Sequence, residues 1–219
     1  MDTPDGLLTR HVRRWVSAFC GAKGWPEPGP AYYSTLAARV PDGLIQLVAT
    51  GIEEGLIQCD GYTFTLPGQA PGKGPYRWLS NRQWPGGPEG PHPNWEYLVH
   101  VAEYVRLSRI AQTRGLRLTF EDGNMDLALY DADTLLVCVE AKATAKKLRE
   151  LMAGLSKYAP AVDLDAPDRD IDGLRKAKYI VRRRPHYFCG VAPDCRLEYR
   201  VEWLSERGFD LVPDAIPNL

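Results

Sequence analysis

Apolar positions along the chain recur at two spacings, and each spacing marks a different kind of element. From residue 94 to residue 115, Trp95, Leu98, Val99, Ala102, Val105, Leu107, Ile110 and Ala111 recur mostly three or four apart. This predicts an amphipathic helix that stops at Gly115. Residues 144–158 repeat the pattern with Leu148, Leu151, Met152, Leu155 and Tyr158. Nearer the start, residues 7–22 (Leu8, Val12, Trp15, Val16, Phe19), 32–40 and 44–55 predict three more helices, the last two parted by Pro41-Asp42-Gly43. Shorter apolar runs predict strands. Residues 125–130 and 135–142 form a hairpin through the turn-like Asp131-Ala132-Asp133, and residues 56–58 and 62–66 form one across Asp60-Gly61. A further pair is expected at 186–192 and 195–203, and an irregular tail at 210–219.

Residues 67–93 hold seven prolines and six glycines, with Tyr76, Trp78 and Trp84 among them. That density argues against regular structure and predicts a linker whose aromatic residues partly pack on a neighbouring domain. The expected organisation is therefore a domain at 1–66, a linker at 67–93 and a second domain at 94–219. Three helices and a hairpin in the first domain resemble a winged helix. The second helix of its helical pair offers Gln46 and Thr50 but also Glu53 and Glu54, and no Lys or Arg. Base reading needs donors, and phosphate contact needs cations. Residues 1–80 carry seven basic and seven acidic side chains, which cancel. The expected role of this domain is thus homodimerisation or docking of a partner protein, with a winged-helix DNA-binding regulator as the alternative.

The strand at 135–142 breaks a rule of burial. It runs Leu-Leu-Val-Cys-Val and then ends Glu140-Ala141-Lys142. Charges at the inner end of an apolar strand need partners or a metal. Alternation puts Leu136, Cys138, Glu140 and Lys142 on one face. The hairpin brings Asp126, fourteen positions before Glu140, toward that carboxylate. Two carboxylates in one small volume repel, and a divalent cation removes the repulsion.

An Asp followed at this distance by Glu-x-Lys after an apolar strand resembles the core of the PD-(D/E)XK nuclease superfamily, the restriction-endonuclease-like fold. The resemblance covers residues 94–203, about half of the chain, and departs from the family pattern at Met125, where proline is usual. It implies an α/β (α+β) fold with a central mixed sheet flanked by helices, and a metal-dependent endonuclease acting on double-stranded DNA. It implies Mg²⁺ or Mn²⁺ held by Asp126, Glu140 and the carbonyl of Ala141, and Lys142 as a catalytic group beside the metal. It also implies an acid on the preceding helix, Glu103 by preference, with Glu96 open. Compact nucleases of this type often serve defence against foreign DNA. A nuclease-fold protein that binds nucleic acid or acts as a scaffold without cutting is the alternative.

Overall charge adds little to this picture. The 219 residues carry a net charge of −1 with a pI near 6.4, so basic patches must be sought locally. Lys146, Lys147 and Arg149 form one, and Arg182, Arg183 and Arg184 end another that begins at Arg175, Lys176 and Lys178. Together they suit a phosphate-lined groove. No apolar run reaches membrane-spanning length, and the first residues lack a signal-peptide core, so a cytoplasmic location without membrane contact is expected. Five scattered cysteines suit a reducing compartment. Cys189, Cys195 and His186 fall short of a zinc set, so buried thiols are expected.

Overall fold

The computed structural model describes residues 4–37, 41–83, 89–167 and 172–217. Val40, in the helix expected at 32–40, and Trp84, in the expected linker, lie outside them. The chain divides into two compact units, Met1–Val105 and Arg106–Leu219. The division falls inside one helix rather than in residues 67–93.

The first unit opens with α1 (Pro4–Lys23), α2 (Pro30–Ala37) and α3 (Asp42–Glu53). A three-stranded antiparallel sheet follows: β1 (Gln58–Asp60), β2 (Thr63–Thr65) and β3 (Tyr76–Arg77). The β1–β2 turn relies on Gly61, whose φ of 56° suits a residue without a Cβ. β4 (Leu79–Gln83) and β5 (Glu89–Pro93) pair as a two-stranded ribbon, and α4 (Trp95–Arg114) begins in this unit.

Residues 67–93 are therefore not a structureless linker: they supply three strands. Proline is tolerated in β5 because one edge of a two-stranded ribbon needs no ladder donors. The segment also supplies the centre of the unit's core. Trp78 is 1% exposed and stacks between Trp15 (4.4 Å between centroids) and Phe64 (4.0 Å). Such a ring buries a large apolar area.

The second unit is built on a six-stranded sheet. Its strands are β6 (Arg117–Asp122), β7 (Met125–Asp131), β8 (Thr134–Ala141), β9 (Tyr187–Ala192), β10 (Cys195–Ser205) and β11 (Gly208–Pro213), in the order β11-β10-β9-β8-β7-β6. All neighbours are antiparallel except β8 and β9. A parallel pair needs a crossover, and α5 (Ala145–Tyr158) and α6 (Asp172–Arg183) provide it. The architecture is thus a mixed α+β unit with helices against a mixed sheet.

α5 starts where Thr144 caps it, its side chain accepting from the Lys147 N–H at 3.2 Å. Leu148, Leu151, Met152 and Leu155 then form its buried stripe. Met152 and Leu155 join Ala177, Ile180 and Val181 of α6 over Ala128, Tyr130, Leu135, Cys138 and Phe188 of the sheet. Pairing shifts by one residue between Leu129 and Tyr130, a bulge that leaves Leu136 unpaired. Leu135, not Leu136, therefore shares the core face of Cys138.

Within the second unit, three elements go beyond those the sequence predicts. α6 was hidden because its charges read as an exposed run, although Leu174, Ala177, Ile180 and Val181 are spaced as a helix requires. β6 alternates only weakly. β11 takes up residues 210–213 of the expected irregular tail because Phe209, fully buried, anchors it.

α5 and α6 meet backbone to backbone. A Cβ on Gly173 would stand 2.6 Å from the carbonyl carbon of Gly154 and 2.9 Å from the Leu155 nitrogen. Rigid main chain cannot yield, so Gly173→Ala should destabilise the protein by about 1–3 kcal/mol, the usual range for overpacking. Trp78→Ala should cost about 3–5 kcal/mol. Urea unfolding of each variant against wild type measures both.

Candidate active site

The register of the β7–β8 hairpin determines what meets at its open end. Leu127 faces Val139, so Asp126 and Glu140 are the next pair along the same ladder and share a face. The main chain completes the approach: the Ala141 N–H donates to Asp126 Oδ2 at 2.6 Å. Lys142 continues past the strand, its own N–H bonded to the Val191 carbonyl at 2.8 Å. Its side chain turns back, and Nζ donates to Glu140 Oε1 at 2.6 Å. On β9, Gly190 lies level with Glu140. A side chain there would meet Leu148 of α5 at 2.8 Å, so the helix packs down beside the carboxylate.

The structure thus brings Asp126, Glu140, Ala141 and Lys142 together. It adds two groups from α6, Asp172 and Lys176, the second of which the sequence places in a basic run. Lys176 Nζ stands 2.6 Å from Glu140 Oε2 and also donates to the Asn124 carbonyl. Asp172 Oδ2 is 3.3 Å from Lys142 Nζ, and its other oxygen holds Arg175 at 3.3 Å. The i, i+4 spacing of Asp172 and Lys176 was the available signal, had residues 172–183 been read as a helix.

Glu140 is 1% exposed. Burial raises its pKa first, the nearby Asp126 charge raises it further, and Lys176 and Lys142 pull it back only in part. The result is a carboxyl pushed up to about 7. Asp172 goes the other way: burial acts to raise its pKa, but Lys142, Lys176 and Arg175 outweigh it and hold it below the usual range. Lys176 lies at ion-pair distance from Oε2, yet Oε2 receives no hydrogen bond of acceptable direction. That contact is Coulombic rather than directed. Strongly perturbed groups gathered in one place are a signature of functional sites.

The other expected site residues are distributed as follows. Glu103 is 7% exposed and Glu96 half-buried, both on α4 within the first unit. Lys146, Lys147 and Arg149 are exposed on the first turns of α5, directly after Lys142. Arg182, Arg183 and Arg184 stand at the far end of α6 and its exit. Arg183 donates to the Tyr130 hydroxyl at 2.5 Å, and Arg184 lies over the Trp203 ring at 3.9 Å. Lys176 and Lys178, grouped with the surface basic run in the sequence reading, are instead buried at 7% and 3% exposure. Lys178 donates to the Ala166 carbonyl. The five cysteines are free thiols; Cys189 is buried and His186 exposed.

Two carboxylates and a main-chain carbonyl are the donor types that hard divalent cations prefer. Among the described residues no group of three or more His, Cys, Asp or Glu side chains is arranged to hold a metal. A divalent ion held here would have few protein donors and would keep several of its waters. Among the described residues no helix is long and apolar enough to cross a membrane. Comparison of the chain with protein-family models, with curated proteins and with solved structures returns no match.

The raised Glu140 pKa has a stability consequence. Between its ordinary value of 4.5 and about 7, the folded state holds a proton that the unfolded state has released. Stability contributed by this group is full below 4.5 and falls as pH rises toward 7. Glu140→Gln should flatten that descent. Urea unfolding of the variant and wild type at pH 4.5, 5.5, 6.5 and 7.5 gives the comparison.

Proposed function

We propose that the chain is a divalent-metal-dependent nuclease of the PD-(D/E)XK type, acting on double-stranded DNA. The meeting of Asp126, Glu140 and Lys142 at one end of the β7–β8 hairpin carries this reading. The element order around it gives further support. α4, then β7, β8, the basic α5, and the β9–β10 pair follow in the sequence on which the resemblance rests. Defence against foreign DNA is the biological setting this reading favours.

Asp126, Glu140 and the carbonyl of Ala141 would hold Mg²⁺ or Mn²⁺. When bound, such an ion lowers the pKa of a coordinated water and polarises the scissile phosphate. The protein groups do the remaining work. The Ala141 N–H fixes the Asp126 carboxylate, so one ligand is oriented in advance. Lys142, steered by Glu140 and Asp172, offers positive charge where negative charge grows on the phosphate. Hydrolysis adds the water oxygen to phosphorus, breaks the P–O3′ bond and leaves a 5′-phosphate and a 3′-hydroxyl. Lys146, Lys147 and Arg149 stand on the next helix turns, where they suit contacts to flanking phosphates.

A second reading has its own observation. Both oxygens of Glu140 already face an ammonium, which suits a nuclease-fold protein that binds nucleic acid without cutting it. Cleavage of supercoiled plasmid separates the two. The nuclease reading expects Mg²⁺-dependent relaxation that EDTA abolishes. Asp126→Asn, Glu140→Gln and Lys142→Ala should each slow it by about 100-fold or more, the scale for losing one preorganised charge-stabilising group. Retarded but uncut plasmid, or undiminished cutting by Glu140→Gln, supports the second reading or neither.

A further inference from the structure

α6 brings into the cluster a charged group for which the nuclease reading above has no task. Lys176 is 7% exposed, a degree of burial that an ammonium tolerates only beside compensating anions. Its anion is Glu140 Oε2, at 2.6 Å, with no directed hydrogen bond between them. Its hydrogen bond goes to the Asn124 carbonyl. The attraction is that of a compact point charge on a flexible stem, a role another cation can take over.

The charges around Glu140 also balance without any metal. Asp126, Glu140 and Asp172 oppose Lys142, Lys176 and Arg175. With all six groups ionised, a divalent cation added to that set leaves two excess positive charges in a buried place, and withdrawal of one ammonium halves that excess. Lys142 is held by two carboxylates, Glu140 at 2.6 Å and Asp172 at 3.3 Å. Lys176 makes ion-pair contact with one, Glu140, and feels Asp172 only at longer range.

We propose that Lys176 is a positioning residue that occupies a cation place on the Glu140 carboxylate and competes there with the divalent ion of the proposed nuclease site. This rests on the metal-dependent reading. Lys176 keeps Glu140 oriented when no ion is bound and yields Oε2 when one arrives. The site therefore binds its ion more weakly than its two carboxylates would alone.

Calorimetric titration of the full-length protein with MnCl₂ tests this. Lys176→Gln removes the charge but keeps a donor for the Asn124 carbonyl. It should bind Mn²⁺ at least about tenfold more tightly than wild type, a change of about 1.4 kcal/mol. Lys176→Arg, which restores the charge, should return the affinity toward wild type, and Glu140→Gln should abolish binding. A measurement on wild type alone covers the case in which Lys176→Gln does not fold. Acetic anhydride labelling of Lys176, read by mass spectrometry, should rise when Mn²⁺ is added. Labelling of Lys178, equally buried but bonded to the Ala166 carbonyl, should not. Unchanged or weaker Mn²⁺ binding in folded Lys176→Gln, or metal-independent labelling of Lys176, overturns the competition and leaves the metal site standing. Absence of Glu140-dependent Mn²⁺ binding in wild type and Lys176→Gln alike overturns both the competition and the metal-dependent reading.

Discussion

A carboxylate taken out of water stays charged only if cations come with it. Glu140 is the point at which this constraint governs the second unit. It sits at the end of an apolar strand, 1% exposed, with Asp126 adding to the repulsion and Lys142 and Lys176 opposing it. Such clusters seldom repay their desolvation in stability. Their presence is better explained by what they can do than by what they hold together.

The fold is arranged to assemble that cluster from distant parts of the chain. The β7–β8 register supplies Asp126 and Glu140 as neighbours. The parallel β8–β9 pairing forces a helical crossover, and that crossover delivers Asp172 and Lys176. The contact between Gly154 and Gly173 brings α6 against α5 at the turn just before Lys176. Next along α6, Tyr179 and Arg183 meet Asp122 and Tyr130, so one stripe of the helix spans from the site to the far end of the hairpin.

Much of this was legible in residue order, and the exceptions have physical reasons. Glu140-Ala141-Lys142 announced itself because charge at the end of Leu-Leu-Val-Cys-Val conflicts with burial. The turn at Asp131-Ala132-Asp133 then implied the pairing with Asp126. Thr144 and the leucine spacing after it marked α5 correctly. α6 was obscured because Arg175, Lys176 and Lys178 read as solvent-facing; the chain buries two of them against a carboxylate and a carbonyl, partners that lie far away in sequence. Trp78 was misplaced for a related reason. Proline and glycine density signals irregular backbone, but short ribbon strands tolerate both, and aromatic stacking supplies the order that backbone propensity withholds. Local pattern revealed the strongly periodic elements, and missed the weakly alternating β6, the proline-interrupted ribbon and the helix whose cations are buried.

Glu140 is a buried carboxyl whose proton affinity is set by its surroundings. Carbon-13 NMR of the side-chain carboxyl, assigned by comparison with Glu140→Gln, follows its titration directly. The expected midpoint is about 7 in wild type, moving down when Asp126→Asn removes the repelling charge. A midpoint in the ordinary carboxylate range, unaffected by Asp126→Asn, would contradict it.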